Sequence, residues 1–305
     1  MGGNSNGSSR EEIAQRIRAQ GAVLDVQATH ALYRDLLKAQ RRDGVSVTRG
    51  LEYGVLERQQ LDLYCPEQPT AHPRPVVVFF HGGGFVRGDK SQRENFGYYF
   101  ARHGYVVAVP NYGLAPAHRW PGGAEDVIAV WRWVRERIDG FGGRADVVFL
   151  AGESAGAAHV ALATLATRFH PPDFKIAGAV LISGVYNVQL ELLARRQFGI
   201  DSPDPRNEAY FGTDFGRYPQ MSTIELIDAA PFPLWISYAE LDLVQMQVQA
   251  GELFGRLACK HGFAPHLHVV AGHNHLTQVY AVNTGDESLT RPVLGFLESH
   301  AERMR

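Results

Sequence analysis

The chain has 305 residues, of which 45% are hydrophobic and 20% charged, with a net charge of −2. Such a composition is too apolar for a disordered chain, and the length suffices to bury a sizeable core without staples. A near-neutral, mixed charge lacks the basic field that nucleic acid or an anionic membrane surface demands, so neither is expected as a partner.

Residues 1–9 are polar and lack the apolar stretch of a secretory signal, so they are expected to form a flexible tail. From 10 to 42, Ile13, Ile17, Ala31, Leu32, Leu36 and Leu37 recur at steps of three and four, predicting helix. The pattern then changes to strands alternating with helices. Val55 and Leu56 are expected to pair with 61–64 as a hairpin. Wholly apolar runs at 76–80, 105–109, 147–150, 179–182 and 234–238 predict strands covered on both faces, with 267–270 a weaker last one. Between them, Val127, Val130, Trp131, Val134 and Ile138 share one helical face, as do Val248, Leu253, Phe254, Leu257 and Ala258 before the stop signal Gly262. Strands alternating with helices mean βαβ units and a mostly parallel sheet. The one stretch outside this rhythm, 186–228, is long, mixed and rich in turn formers, as a lid over a site would be. The prediction is a single α/β domain over 10–305, its central sheet flanked by helices, with a helical cap from 10–42 and 186–228. No run reaches the ~18 apolar residues of a membrane span, and a cytoplasmic location is expected.

Two motifs carry chemistry. Gly152, Glu153, Ser154, Ala155 and Gly156 follow the strand at 147–150 and open a helix predicted over 157–167. A G-x-S-x-G in that context reads as a nucleophile elbow, a sharp turn that exposes the serine oxygen above the sheet's carboxyl edge. The second, His81, Gly82, Gly83, Gly84 and Phe85, directly follows the strand at 76–80. Glycines there let backbone N–H groups approach a substrate oxygen, so Gly83, Gly84 and Ala155 are the expected oxyanion donors. A phosphate loop is excluded, because Asp89 stands where a P-loop needs Lys and Lys90 comes one place late; G-x-G-x-x-G is also absent, since position 87 is Arg.

A base and its orienting acid must follow Ser154, in the order acid then His. Of the downstream histidines, His273 and His275 lie in a turn just after the last predicted strand, at the edge where open α/β sheets bind ligands. His-x-His has no third ligand nearby at metal spacing, and the two cysteines, Cys65 and Cys259, form neither a disulfide framework nor a metal site. Glu240 and Asp242 both follow the strand at 234–238 as candidate acids.

The ordered set of His81–Phe85, then Asn111, Tyr112, Gly113, Leu114, Ala115 and Pro116 with Trp120, Pro121 and Asp126, then Gly152–Gly156, resembles the hormone-sensitive-lipase-like branch of the α/β-hydrolases, from about Leu51 to the end of the chain. Gly113 departs from the Arg common in that family. The resemblance implies the α/β-hydrolase fold and a bacterial-type carboxylesterase working without metal or cofactor. By the family's G-x-x-H and G-x-x-D-like turns it selects His275 and Asp242, leaving His273 to line the pocket or to support it. Aryl-formamidases or amidases, and non-catalytic ligand-binding members of the fold, are the alternatives.

The remaining candidates read as structural. Asp126 is expected to tie a loop, Trp131 and Trp133 to pack, Lys38, Arg41 and Arg42 to form a solvated helix end, His159 to pack within its helix, and both cysteines to be buried. The insertion supplies Tyr186, Leu190, Leu192, Leu193, Phe198, Tyr210 and Phe211, interrupted by polar residues. That is enough apolar surface to enclose a short to medium acyl chain, and too interrupted for an interfacial lipase. A small-molecule ester is thus the expected partner, and a homodimer is compatible with the sequence.

Overall fold

The computed structural model describes residues 10–197, 199 and 204–304. The expected tail at 1–9, and Phe198, lie outside the described residues. Two N-terminal helices, α1 (Arg10–Gln20) and α2 (Val26–Lys38), precede strands β1 (Val45–Glu52), β2 (Gln60–Pro66) and β3 (Arg74–Phe80). Next come α3 (Glu94–Arg102), β4 (Val106–Pro110), α4 (Gly122–Arg137), β5 (Gly143–Glu153), α5 (Ala155–Leu165) and β6 (Gly178–Ile182). The insertion holds four short helices, α6 (Val188–Gln197), α7 (Pro205–Phe211), α8 (Tyr218–Met221) and α9 (Thr223–Leu226). The chain ends with β7 (Leu234–Leu241), α10 (Val244–His261), β8 (His266–Asn274), α11 (Thr277–Tyr280) and α12 (Thr290–Glu302).

The strands form one eight-stranded sheet in the order β1-β2-β4-β3-β5-β6-β7-β8. From β4 to β8 every pairing is parallel, and β2 alone runs against its neighbours, β1 and β4. Period-two alternation divides each apolar strand between two cores. Val76, Val78 and Phe80 pack with α4, α5 and α10 on one face, while Val77 and Phe79 pack with α3 and α12 on the other. Each fully buried Val, Leu or Phe contributes about 1.5–3 kcal/mol, so a sheet covered on both faces is strongly held. It is the rigid platform on which the strand ends present side chains.

The hairpin differs from expectation. Its first arm is Val45–Glu52, and Val55 is 99% exposed in the connecting turn. An edge strand with one solvated face carries too few apolar residues to announce itself. No helix among the described residues is long and apolar enough to cross a membrane.

Candidate active site

Ser154 stands between β5 and α5 with φ 52° and ψ −118°, a conformation that L-residues rarely adopt. Such strain persists only where the surroundings over-determine it. Here the serine N–H is held by the carbonyl of Ile182 at 2.8 Å, and a Cβ at Gly152 would lie 2.5 Å from the Gly156 carbonyl carbon. The side chain is therefore raised above the sheet's carboxyl edge, where the ends of β7 and β8 also arrive.

From the turn after β8, His275 places Nε2 at 3.0 Å from Ser154 Oγ and Nδ1 at 2.8 Å from Asp242 Oδ1. A carboxylate only accepts, so Nδ1 carries the proton and Nε2 is left as the acceptor for the serine hydroxyl. Asp242, from the turn after β7, is fully buried. Its other oxygen accepts from Ser183 Oγ at 2.5 Å and from the Ala239 N–H at 3.2 Å, and Oδ1 also accepts from the Leu243 N–H at 2.8 Å. Ser183 in turn accepts from Gln278 Nε2 at 2.7 Å. Burial by itself lowers the His275 pKa, but Asp242, with Glu153 and Glu191 adding to it, more than offsets this, and the pKa is raised above 6.5.

The turn after β3 lies opposite. Gly83 has φ 141° and Gly84 φ 60°, and a Cβ at 83 would collide with the Arg87 carbonyl, so this close path requires glycine. No described residue accepts from the N–H groups of Gly83, Gly84 or Ala155. Gly82 differs, because its N–H donates to Glu153 Oε1 at 2.8 Å. That same oxygen lies 2.6 Å from Arg93 in a buried ion pair. Burial alone would raise the Glu153 pKa, yet Arg93 brings it below the usual carboxylate value. His81 is buried, stacks on Tyr112 at 4.4 Å, and bonds the Gly82 carbonyl through Nδ1 at 2.7 Å; desolvation lowers its pKa to about 4. It holds the turn in place as a neutral ring.

Ser154 and His275 lie in the wall of a pocket of about 170 Å³. Leu24 and Val26, at the start of α2, and Arg206 of α7 also line it, so both segments expected to cap the sheet reach the site. A wider cleft of about 890 Å³ between α2, α3 and the loop 283–287 lies elsewhere and includes neither. Of the apolar insertion residues, Leu192, Tyr210, Phe211, Tyr218 and Met221 cluster with Phe85, which stacks on Tyr210 at 4.6 Å, whereas Tyr186 joins the sheet core and Leu193 is exposed.

Some expectations are corrected. His273 neither lines the pocket nor contacts the Ser154–His275–Asp242 set: it faces Asp286 at 3.2 Å and Thr277 Oγ1 at 3.2 Å. Cys259 is exposed, because Leu253 and Leu257 take the inner face of α10, and Cys65 on β2 is half-buried. Glu240 is an exposed carboxylate accepting from the Gly272 N–H at 2.7 Å. Asp126 ties Gln59 and the Gly113 N–H, each at 2.7 Å, and the His118 ring occupies the space a side chain at 113 would need. Trp131, Trp133 and His159 are buried, and Arg41 and Arg42 pair with Asp43 and Glu94 on the surface. Ser183, Gln278 and Leu24 were invisible in the sequence, since nothing local marks them; the one signal for Ser183 is its place just after an apolar strand.

A serine on a strained strand-to-helix turn, with a buried carboxylate and an imidazole from the ends of the last two strands, defines the α/β-hydrolase class. The chain belongs to the alpha/beta hydrolase fold family, whose model matches residues 77–278. Over 121 residues it is 36% identical to Esterase LipC of Mycobacterium tuberculosis, a stretch that is 38% of this chain and 29% of that protein. Over 132 residues it is 34% identical to a gibberellin receptor of Oryza sativa subsp. japonica, covering 40% of this chain and 36% of the receptor. The matches thus span little more than a third, or less, of those relatives' length. The crystal structure of esterase B from Lactobacillus Rhamnosis superposes with a TM-score of 0.76 over 96% of both chains, at 18% identity.

Proposed function

We propose that the protein is a serine carboxylesterase acting on short to medium acyl esters. The observation that carries this reading is the hydrogen-bonded chain Ser154–His275–Asp242, facing the unpartnered N–H groups of Gly83, Gly84 and Ala155. In this reading, Ser154 Oγ attacks the ester carbonyl as His275 Nε2 takes its proton, and the negative oxygen sits among the three N–H donors. His275 returns the proton to the departing alcohol, leaving an acyl-serine. Water then attacks the acyl carbon, losing a proton to the same imidazole, and the acid leaves as the proton returns to Ser154. Asp242 fixes the tautomer and stabilises the imidazolium. The similarity to Esterase LipC supports the ester class. The cap from 10–42 and 186–228 belongs to the same proposal.

A set of p-nitrophenyl esters from acetate to laurate, beside an anilide and N-formylkynurenine, tests the substrate class. Turnover is expected to rise with chain length up to about eight carbons at most and then fall sharply, since each methylene that fits gains about 0.8 kcal/mol until the pocket is full. Leu24→Trp, which narrows the pocket, is expected to move the optimum to shorter chains. Activity confined to the formamide would replace the ester reading, and an optimum unmoved by Leu24→Trp would remove the N-terminal segment from the cap.

The base also sets a pH profile. His275 acts only when neutral, and its pKa is raised, so protonation switches the site off at a higher pH than a free imidazole would. The acid limb of kcat/KM for p-nitrophenyl butyrate is expected to have its midpoint above 6.5. A midpoint below that value would contradict the coupling to Asp242.

A further inference from the structure

The cations around the site outnumber what the proposed mechanism uses. The pocket wall carries three arginines and one carboxylate. That carboxylate, Glu153, is consumed by Arg93 and the Gly82 N–H. Arg206 grips Asp204 through Nε at 3.0 Å and Nη2 at 2.5 Å. Its remaining nitrogen, Nη1, has no partner among the described residues and packs against Gly84, lying 3.3 Å from where a Cβ would stand. The guanidinium of Arg87 is exposed and has no partner among the described residues.

The imbalance continues outward. A groove of about 470 Å³ adjoins the pocket, sharing Gln92 and Tyr280 as wall residues. Arg34, Lys38 and Arg42 line it with a single acid, Glu94, which Arg42 already holds at 2.6 Å. Arg34 and Lys38 have no ion pair or hydrogen bond to a described residue. In a chain of net charge −2, this local excess lines the path into the pocket, and a cleft rich in one sign of charge concentrates oppositely charged solutes.

We propose that the ester turned over at Ser154 carries an anionic group, steered along the Arg34–Lys38 groove and held at the mouth of the pocket by Arg87 and the free edge of Arg206. A carboxylate there meets a planar donor fork suited to its geometry. The proposal rests on the esterase reading and adds the charge of its substrate.

The test compares half-esters with neutral esters of the same shape, followed by titration at constant pH. Monoethyl succinate against ethyl butyrate places the carboxylate on the acyl side, and O-butyrylglycolate against propyl butyrate places it on the alcohol side. In at least one pair the anionic ester is expected to have the higher kcat/KM at low salt, by about tenfold, the order of one partly screened charge pair. That ratio should collapse toward unity at 0.5 M NaCl and in Arg87→Gln, a substitution of an exposed side chain that leaves no partner unsatisfied. Two outcomes overturn the proposal while sparing the esterase reading: neutral esters preferred in both pairs, or an anionic preference that survives both salt and Arg87→Gln. Turnover of none of the four esters overturns the esterase reading, and the proposal with it.

Discussion

Ser154→Ala is expected to abolish ester hydrolysis, with kcat falling by on the order of 10⁴–10⁶, while the protein stays folded. In the proposed mechanism the loss of the nucleophile is not shared out among the other groups, because His275 and Asp242 would act only through the serine oxygen, and single losses in such a set approach the effect of losing all of it. The fold survives because Ala155 to Leu165 are buried as a complete helix and the elbow is fixed by backbone contacts: the residue-154 N–H to the Ile182 carbonyl, and the close pass of Gly152 on Gly156. Alanine keeps the Cβ and removes only Oγ, whose one partner among the described residues is His275 Nε2 at 3.0 Å. Incubation of the wild type with an organophosphate, followed by peptide mass analysis, should place the added mass on Ser154. Labelling of another serine, or full activity in the alanine variant, refutes the elbow as the reactive site.

How much of this was legible in the sequence depends on whether the signal was local. The apolar strands β3 to β7 announced themselves because both faces are covered, and a run such as Val76 to Phe80 has no polar face to hide in. The elbow and the glycine turn were legible for the same reason, being turns with fixed glycines directly attached to such strands. β1 was missed because an edge strand with one wet face, interrupted by Arg49 and Gly50, matches no template over enough residues. α3 and α12 were missed as well, although Phe96, Phe100, Val293 and Leu297 pack onto the sheet. Within the site, the turn after β8 offered two histidines that spacing alone left open; the family resemblance chose His275, and in the fold His275 turns toward Ser154 and His273 toward Asp286. Arg206 could not be read at all, and Ser183 had only its place after an apolar strand to mark it. Their roles follow from which strand end or cap helix lands beside the site, a matter of non-local packing.

The two acids at the carboxyl end of β7 should separate sharply under amide substitution. Asp242 accepts hydrogen bonds on both oxygens: Oδ1 from His275 Nδ1 and the Leu243 N–H, Oδ2 from Ser183 Oγ and the Ala239 N–H. An asparagine there must aim its NH₂ at one of those two sets of donors. Aimed at His275, it forces the proton onto Nε2, so the imidazole can no longer accept from Ser154. Aimed at the other side, it faces the Ala239 N–H, which can only donate, and the neutral amide no longer supplies the negative charge that stabilises an imidazolium at His275. Asp242→Asn is therefore expected to lower kcat by on the order of 10⁴, as the equivalent change does in the template triad. Glu240 is exposed, and its one bond is the Gly272 N–H, which the carbonyl oxygen of a glutamine accepts equally well. Glu240→Gln should stay within a few-fold of wild type, and His273→Ala should stay far above His275→Ala. Steady-state kinetics on p-nitrophenyl butyrate, with circular dichroism to check folding, decide the matter. A crippled Glu240→Gln beside an active Asp242→Asn would move the acid two residues along the chain and leave the 2.8 Å contact between Asp242 and His275 without a catalytic role.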